Sequence, residues 1–128
     1  MSISRTQSRT NAMTILYQIN LYKKNKIDYN IDELLEIDDI FTKELVIGVE
    51  NNIDKIDSIA NKYLNNWNIN RLGLTDAAII RIAIYELLHT TTPKKVVINE
   101  AIELAKKYSD EKVIKMINGV LDKVYHNE

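Results

Sequence analysis

Apolar residues return every three or four positions along most of the chain, and nowhere do they alternate one-on, one-off through several segments, so the pattern predicts helices and no sheet. Ala12, Ile15, Leu16, Ile19 and Tyr22 form one face of a first helix. Ser4 is its N-cap, and the polar run Asn25 to Asn30 closes it near Lys24. A short helix is expected over Ile31 to Ile37, with Leu34 and Leu35 turned inward. A long periodic stretch follows: Ile40, Phe41, Leu45, Val49, Ile53, Ile56, Ile59, Ala60, Tyr63, Leu64 and Trp67, readable as one helix or two. Gly48 lies inside that pattern with no proline nearby, which suits the close approach of a neighbouring helix better than a break.

Asn-rich sequence and a glycine predict a bend at 68–73. Thr75 is expected to cap a strongly apolar helix from Asp76 to about His89, with Ala77, Ile80, Ala83, Ile84 and Leu87 internal. Thr90 to Pro93 ends it, because proline disfavours a helical conformation in the residue before it. A further helix spans about Lys94 to Tyr108, with Val97, Ala101, Leu104, Ala105 and Tyr108 on one side. Ser109 is expected to cap a last helix that opens on Asp110 and Glu111 and buries Val113, Ile117, Val120, Leu121 and Val124. The reading is an all-α, compact bundle of six or seven helices, a single domain of residues 1–128 with a soft boundary near 68–73.

Composition narrows the chemistry. The chain has 128 residues and no cysteine, which removes disulfide frameworks, Cys-ligated zinc, iron–sulfur clusters and thiol catalysis. No run approaches the roughly 18 apolar residues of a spanning helix, and the polar start lacks the apolar stretch of a signal peptide, so a cytoplasmic protein is expected, without membrane partners. The net charge of −1 gives no overall pull toward nucleic acid, but its distribution is uneven. Residues 1–30 carry five cations against Asp28 alone, a balance of +4, whereas residues 31–66 carry nine acids against three lysines, a balance of −6.

An enzyme is not expected. His89 and His126 are isolated and read as surface or helix-end residues, and three scattered glycines cannot make a phosphate loop. The pairs Asp38–Asp39 and Asp32–Glu33 occupy adjacent helical positions that splay apart, as on a solvated face. No metal site and no cofactor is expected. The amino terminus differs, because Arg5 and Arg9 stand four apart, on one helical face, where two guanidinium groups can grip successive phosphates. Short polar residues surround them, among them Thr6 and Gln7. A fraying, solvated helix start fits the same composition.

Taken in order, SRTQSRTNAMTILYQ (4–18), FTKELVIGV (41–49), WNINRLGLTDAAIIRIAIYELL (67–88), PKKVVINEAIELAKKYS (93–109) and KMINGVLDKV (115–124) carry a full-length likeness. The sequence resembles the NusB family of bacterial transcription antitermination proteins, most specifically in VINEAIELAK and NGVLDK. The resemblance implies two packed three-helix subdomains, about 1–67 and 68–128. It implies a non-enzymatic adaptor that binds the boxA element of rRNA leader transcripts as a heterodimer with NusE, a small-subunit ribosomal protein. That complex would join other Nus factors and RNA polymerase and suppress termination in rRNA operons.

The family motif reads like S-R-R-x-A-R; here Ser4, Arg5 and Arg9 match, while Thr6 replaces the second arginine and Ser8 the alanine. One cation is missing, which lowers RNA affinity and its salt slope unless Lys23, Lys24, Lys112 or Lys115 compensates. The residues expected at the RNA are Arg5, Arg9, Tyr17 and Met116 by resemblance, the last standing where the family often has phenylalanine, with Thr6 and Gln7 beside the arginines and Lys112 and Lys115 as compensating cations. Tyr17 reads equally as a base-stacking ring or a half-buried core tyrosine. Tyr63, Asp76, Arg81 and Glu86 match positions that face NusE or the RNA junction. Asn99, Glu100, Asn118 and Asp122 are read as structural hydrogen-bonding groups. The second reading is a protein-interaction module that pairs mainly with NusE. A third, the helical domain fused to rRNA cytosine methyltransferases, suits 128 residues poorly. A homodimer that buried the first helix would compete with RNA, and the sequence leaves pairing of copies open.

Overall fold

The computed structural model describes residues 3–128, and among them there are seven α-helices and no strand. These are α1 (Arg5–Lys24), α2 (Ile31–Leu34), α3 (Ile40–Asn51), α4 (Ile53–Tyr63), α5 (Leu74–His89), α6 (Lys94–Tyr108) and α7 (Glu111–Asn127), with a 3₁₀ turn at Ile69–Arg71. Caps explain several of the ends. The Ser4 side chain accepts from the Gln7 amide at 3.0 Å, as expected, and Asn30 and Asp39 cap α2 and α3 in the same way. The long periodic stretch is two helices, divided at Asn52, whose side-chain amide donates to the Gly48 carbonyl at 2.8 Å.

Three expectations at helix ends are corrected. The fifth helix begins at Leu74 with Gly73 in the N-cap position, so Thr75 lies inside the first turn and caps nothing. Asp110, whose carboxylate accepts from the Val113 amide at 2.9 Å, caps α7; Ser109 ends α6 and donates its hydroxyl to Asp76 instead. The short α2 stops at Leu34, although Leu35 is buried beyond it.

Helix α5 organises the packing. Every residue from Ala77 to Leu87 is buried, as in a helix that is apolar on all sides. It contacts α1, α3 and α4 on one side and α6 and α7 on the other, while α4 also meets α7, so the two halves share one continuous apolar core. Gly48 does admit a neighbour: a Cβ there would lie 2.2 Å from the Tyr85 ring of α5. Trp67 departs from its pattern. The helix ends at Tyr63, and the indole stands 55% exposed outside the core.

Candidate RNA and partner surface

The start of α1 separates residues that the sequence placed together. Arg5 is exposed, its guanidinium 4.0 Å from the centre of the Phe41 ring, a cation–π contact that leaves its N–H groups facing water. Arg9 is only 5% exposed. Its Nε and Nη2 donate to the two oxygens of Glu86 at 2.7 and 2.8 Å, and Nη1 lies 3.7 Å from Glu100. Burial works against the Arg9 cation, but the hydrogen bond and charge of Glu86, with Glu100 beside it, outweigh that and raise its pKa. The expectation that Arg5 and Arg9 grip phosphates side by side is therefore corrected for this conformation: the fork of Arg9 is spent on tying α1 to α5.

Thr6, in the position of the missing arginine, donates its hydroxyl to Glu100 at 2.9 and 3.1 Å, linking α1 to α6. Gln7 is exposed and donates to Asn11 at 3.0 Å. Ser8 is buried and donates to Asp39 at 2.7 Å, where Thr42 also donates through its hydroxyl at 2.6 Å and its amide at 2.9 Å. These bonds, from Thr42 first and then Ser8, hold the Asp39 carboxyl below its ordinary pKa. Asp39 is thus a helix cap and not half of a carboxylate pair.

The residues matched to the partner face divide likewise. Glu86 is 1% exposed, and Arg81 is buried in a two-point pair with Asp57 at 2.8 and 3.0 Å. Glu86 is enclosed in the core, whereas Arg81, though buried, lines an open pocket with Asp57 and Asn70. Tyr63 donates its hydroxyl to Glu128 at 2.5 Å, and Lys62 reaches the same oxygen at 2.9 Å, joining α4 to the end of α7. Asp76 is half-buried and accepts from Ser109 across the junction of α5 with the α6–α7 turn.

Lys112, Lys115 and Met116 come together on α7. Lys112 and Met116 line a groove of about 280 Å³ with Trp67, Arg71, Leu72, Gly73, Asp76 and Val113. Lys115 is exposed one turn along from Lys112. Two residues at the end of α6 that the sequence did not single out for function are exposed beside this region of the chain. Lys107 lines a small cleft with Thr6, Arg9, Glu100 and Glu103, and Tyr108 follows it, 54% exposed. Both lie at the end of α6, where apolar spacing assigned Tyr108 to the core; that expectation is corrected, since the last buried position of the helix is Ala105. Lys107 thus shares a cleft with Thr6, the chain neighbour of Arg5, and Lys112 follows five residues after it, at the start of α7. Tyr17, 39% exposed, lies three turns along α1 from Arg5. Lys23 is occupied by Glu50 at 2.6 Å.

Of the four polar residues read as structural, Glu100 is one, holding Thr6 and facing Arg9. Asn99 and Asn118 are exposed and make no side-chain hydrogen bond among the described residues, and Asp122 meets only His126, at 3.4 Å on the surface. His89 and His126 sit at helix ends, each stacked on a tyrosine. No helix among the described residues is long and apolar enough to cross a membrane.

The comparisons agree with this architecture. The NusB family model matches residues 6–126. The transcription antitermination protein NusB of Clostridium botulinum (strain Alaska E43 / Type E3) is 43% identical over 95% of this chain and 98% of its own. Among solved structures, T. maritima NusB superimposes with a TM-score of 0.85 at 33% identity, covering 100% of this chain and 94% of that one. A crystal structure of the antitermination factors NusB and NusE in complex with dsRNA matches with a TM-score of 0.74 at 28% identity over 97% of each chain. A family match over residues 6–126, near-complete coverage of similar relatives and the superposition on T. maritima NusB give one conclusion: the chain belongs to the NusB family of transcription antitermination proteins.

Proposed function

We propose that the chain, as one RNA-binding domain with halves of about 1–67 and 68–128, binds boxA-type single-stranded RNA of rRNA leader transcripts together with NusE. In that role it links the RNA, with other Nus factors, to the elongating RNA polymerase in the cytoplasm. The observation that carries the reading is the set of exposed cations and one exposed ring at the start of α1 (Arg5), the end of α6 (Lys107, Tyr108) and the start of α7 (Lys112, Lys115), with Lys107 and Thr6 lining one cleft, in a molecule whose net charge is −1. Exposed cations draw phosphates by counterion release, and an exposed aromatic ring stacks unpaired bases. A related NusB crystallised with NusE and RNA supports the choice of partners.

Fluorescence anisotropy with a labelled boxA-type RNA, with NusE present and over a salt series, tests the reading. Affinity is expected to fall as salt rises, with a slope of about 0.7 per phosphate contacted on a single strand. Arg5→Ala is expected to reduce that slope. Equal affinity for a scrambled RNA would remove the sequence-specific part. Light scattering with and without RNA tests whether a homodimer competes with the RNA.

A second reading, a module that pairs mainly with NusE and touches RNA weakly, draws on Arg9 and Thr6. Of the three cation positions in the family motif, this chain leaves only Arg5 facing solvent. Calorimetry with NusE alone separates the two, because tight pairing without RNA, joined to a flat salt response toward RNA, favours the module.

A further inference from the structure

We propose that Trp67 is a base-stacking platform for single-stranded RNA, with Arg71 and Lys112 taking the flanking phosphates. This inference deepens the RNA-binding reading above and rests on it.

The first observation is the exposure of the indole. Trp67 is the only tryptophan of the chain, and its spacing from Ala60, Tyr63 and Leu64 would have kept it on the inward face had α4 continued. The chain leaves the helix instead through Asn65 and Asn66, both in the left-handed region at φ 31° and 37°. Residues other than glycine seldom adopt that region, and asparagine is among the few that tolerate it. Two such residues in succession turn the backbone out of the helical path, and Trp67 emerges 55% exposed. Leaving so large an apolar surface in water forgoes substantial burial energy, so this geometry is one that a ligand would repay.

The second observation is what surrounds the ring. The groove beside Trp67 has an apolar floor of Leu72, Val113 and Met116, and Arg71 and Lys112 at its edge. Its one carboxylate, Asp76, already accepts from Ser109. An aromatic ring in one groove with two cations suits a nucleotide, whose base stacks on the ring while its phosphates meet Arg71 and Lys112. Met116, where the family often has phenylalanine, contributes a polarizable thioether but no ring, so Trp67 is the aromatic surface of this groove.

Because there is a single tryptophan, its emission reports on this site alone in the isolated chain. The experiment titrates a short fluorescein-labelled boxA-type single-stranded RNA into the full chain, reading indole emission and label anisotropy together. It is repeated with Trp67→Ala, Trp67→Phe and Arg5→Ala, and with NusE and no RNA. Quenching is expected to follow the anisotropy curve with the same midpoint. Trp67→Ala should weaken RNA binding roughly five- to a hundredfold without moving the thermal melt, and Trp67→Phe should restore most of the loss. If RNA binds, Arg5→Ala weakens it, and neither emission nor the Trp67→Ala affinity changes, the platform is overturned while the RNA-binding reading stands. If Trp67→Ala weakens NusE binding and leaves RNA affinity intact, the groove is a protein contact and the platform is equally overturned. If no RNA binds at low salt with or without NusE, both fall together.

Discussion

Replacing Arg9 by alanine should unfold the protein more readily before it does anything to RNA. The guanidinium makes two charge-assisted bonds, at 2.7 and 2.8 Å, to a carboxylate that is 1% exposed. Truncating Arg9 leaves the Glu86 charge buried with no partner, a change that costs about 3–5 kcal/mol. Against a usual total of about 5–15 kcal/mol, that is a large share of the stability. For a chain of this size the corresponding fall in Tm is about 10–20 °C. Urea and thermal denaturation followed by circular dichroism measure it, with Arg5→Ala as the control, since Arg5 loses only an exposed cation–π contact of about 0.5–1 kcal/mol.

The double variant Arg9→Met with Glu86→Leu removes the orphaned charge and should recover much of the loss, because well-packed apolar pairs often match a buried ion pair. The RNA readout completes the case. At a temperature where every variant is folded, Arg5→Ala should flatten the salt dependence of RNA binding and the Arg9–Glu86 double variant should not. A Tm for Arg9→Ala within a degree or two of wild type, or a folded Arg9→Ala that flattens the salt dependence as Arg5→Ala does, would refute the assignment of Arg9 to the interior.

Three further outcomes are expected. Gly48→Ala should destabilise by about 1–3 kcal/mol despite the better helix propensity of alanine, because its Cβ would fall 2.2 Å from the Tyr85 ring; a urea midpoint at or above wild type would show that the ring moves aside freely. Gly119→Ala, on an α7 surface with nothing within 4 Å, should stabilise by about 0.5–1 kcal/mol in the same assay, and a loss would contradict the open setting of that site. Asp39 has a folded pKa below its ordinary value, so its contribution to stability is present above about pH 4 and is lost as pH falls through the folded value. The gap in urea midpoint between wild type and Asp39→Ala should therefore be widest near neutrality and close in acid; a gap that stays constant would mean that the carboxylate does not act through its charge.

The helices were legible because a core stripe of three-to-four period is written by the residues that fill it, and α1, α5, α6 and α7 follow that stripe closely. Helix ends were less so, since Thr75 and Ser109 are as good cap residues by type as Asp110, and only the path of the backbone decides between neighbours. Trp67 failed for a related reason: its spacing is that of a core position, but two left-handed asparagines remove it from the helix that would have buried it. Periodicity reports which face a residue would occupy if the helix ran on, and it is silent where the helix stops.

The arginines at 5 and 9 show the limit for function. A four-residue spacing puts two side chains on the same face of a helix, but it does not say whether that face meets water or another helix. At Arg9 the face meets α5, and the answer was written 77 residues away, in a glutamate on the buried helix that needs a cation beside it. Read alone, Glu86 in IAIYELL has the same ambiguity, since a single acid in an apolar helix is either buried with a partner or the one polar residue of an outward stripe. The two ambiguities resolve each other once α1 lies against α5. The same docking places Thr6 against Glu100, so the residue that departs from the family motif contributes to the α1–α6 seam instead of a phosphate grip. The cationic surface that remains is assembled from the start of α1, the end of α6 and the start of α7. No contiguous basic segment announces it, because its cations come from elements about a hundred residues apart in the chain, as Lys107 and Thr6, which line one cleft, are.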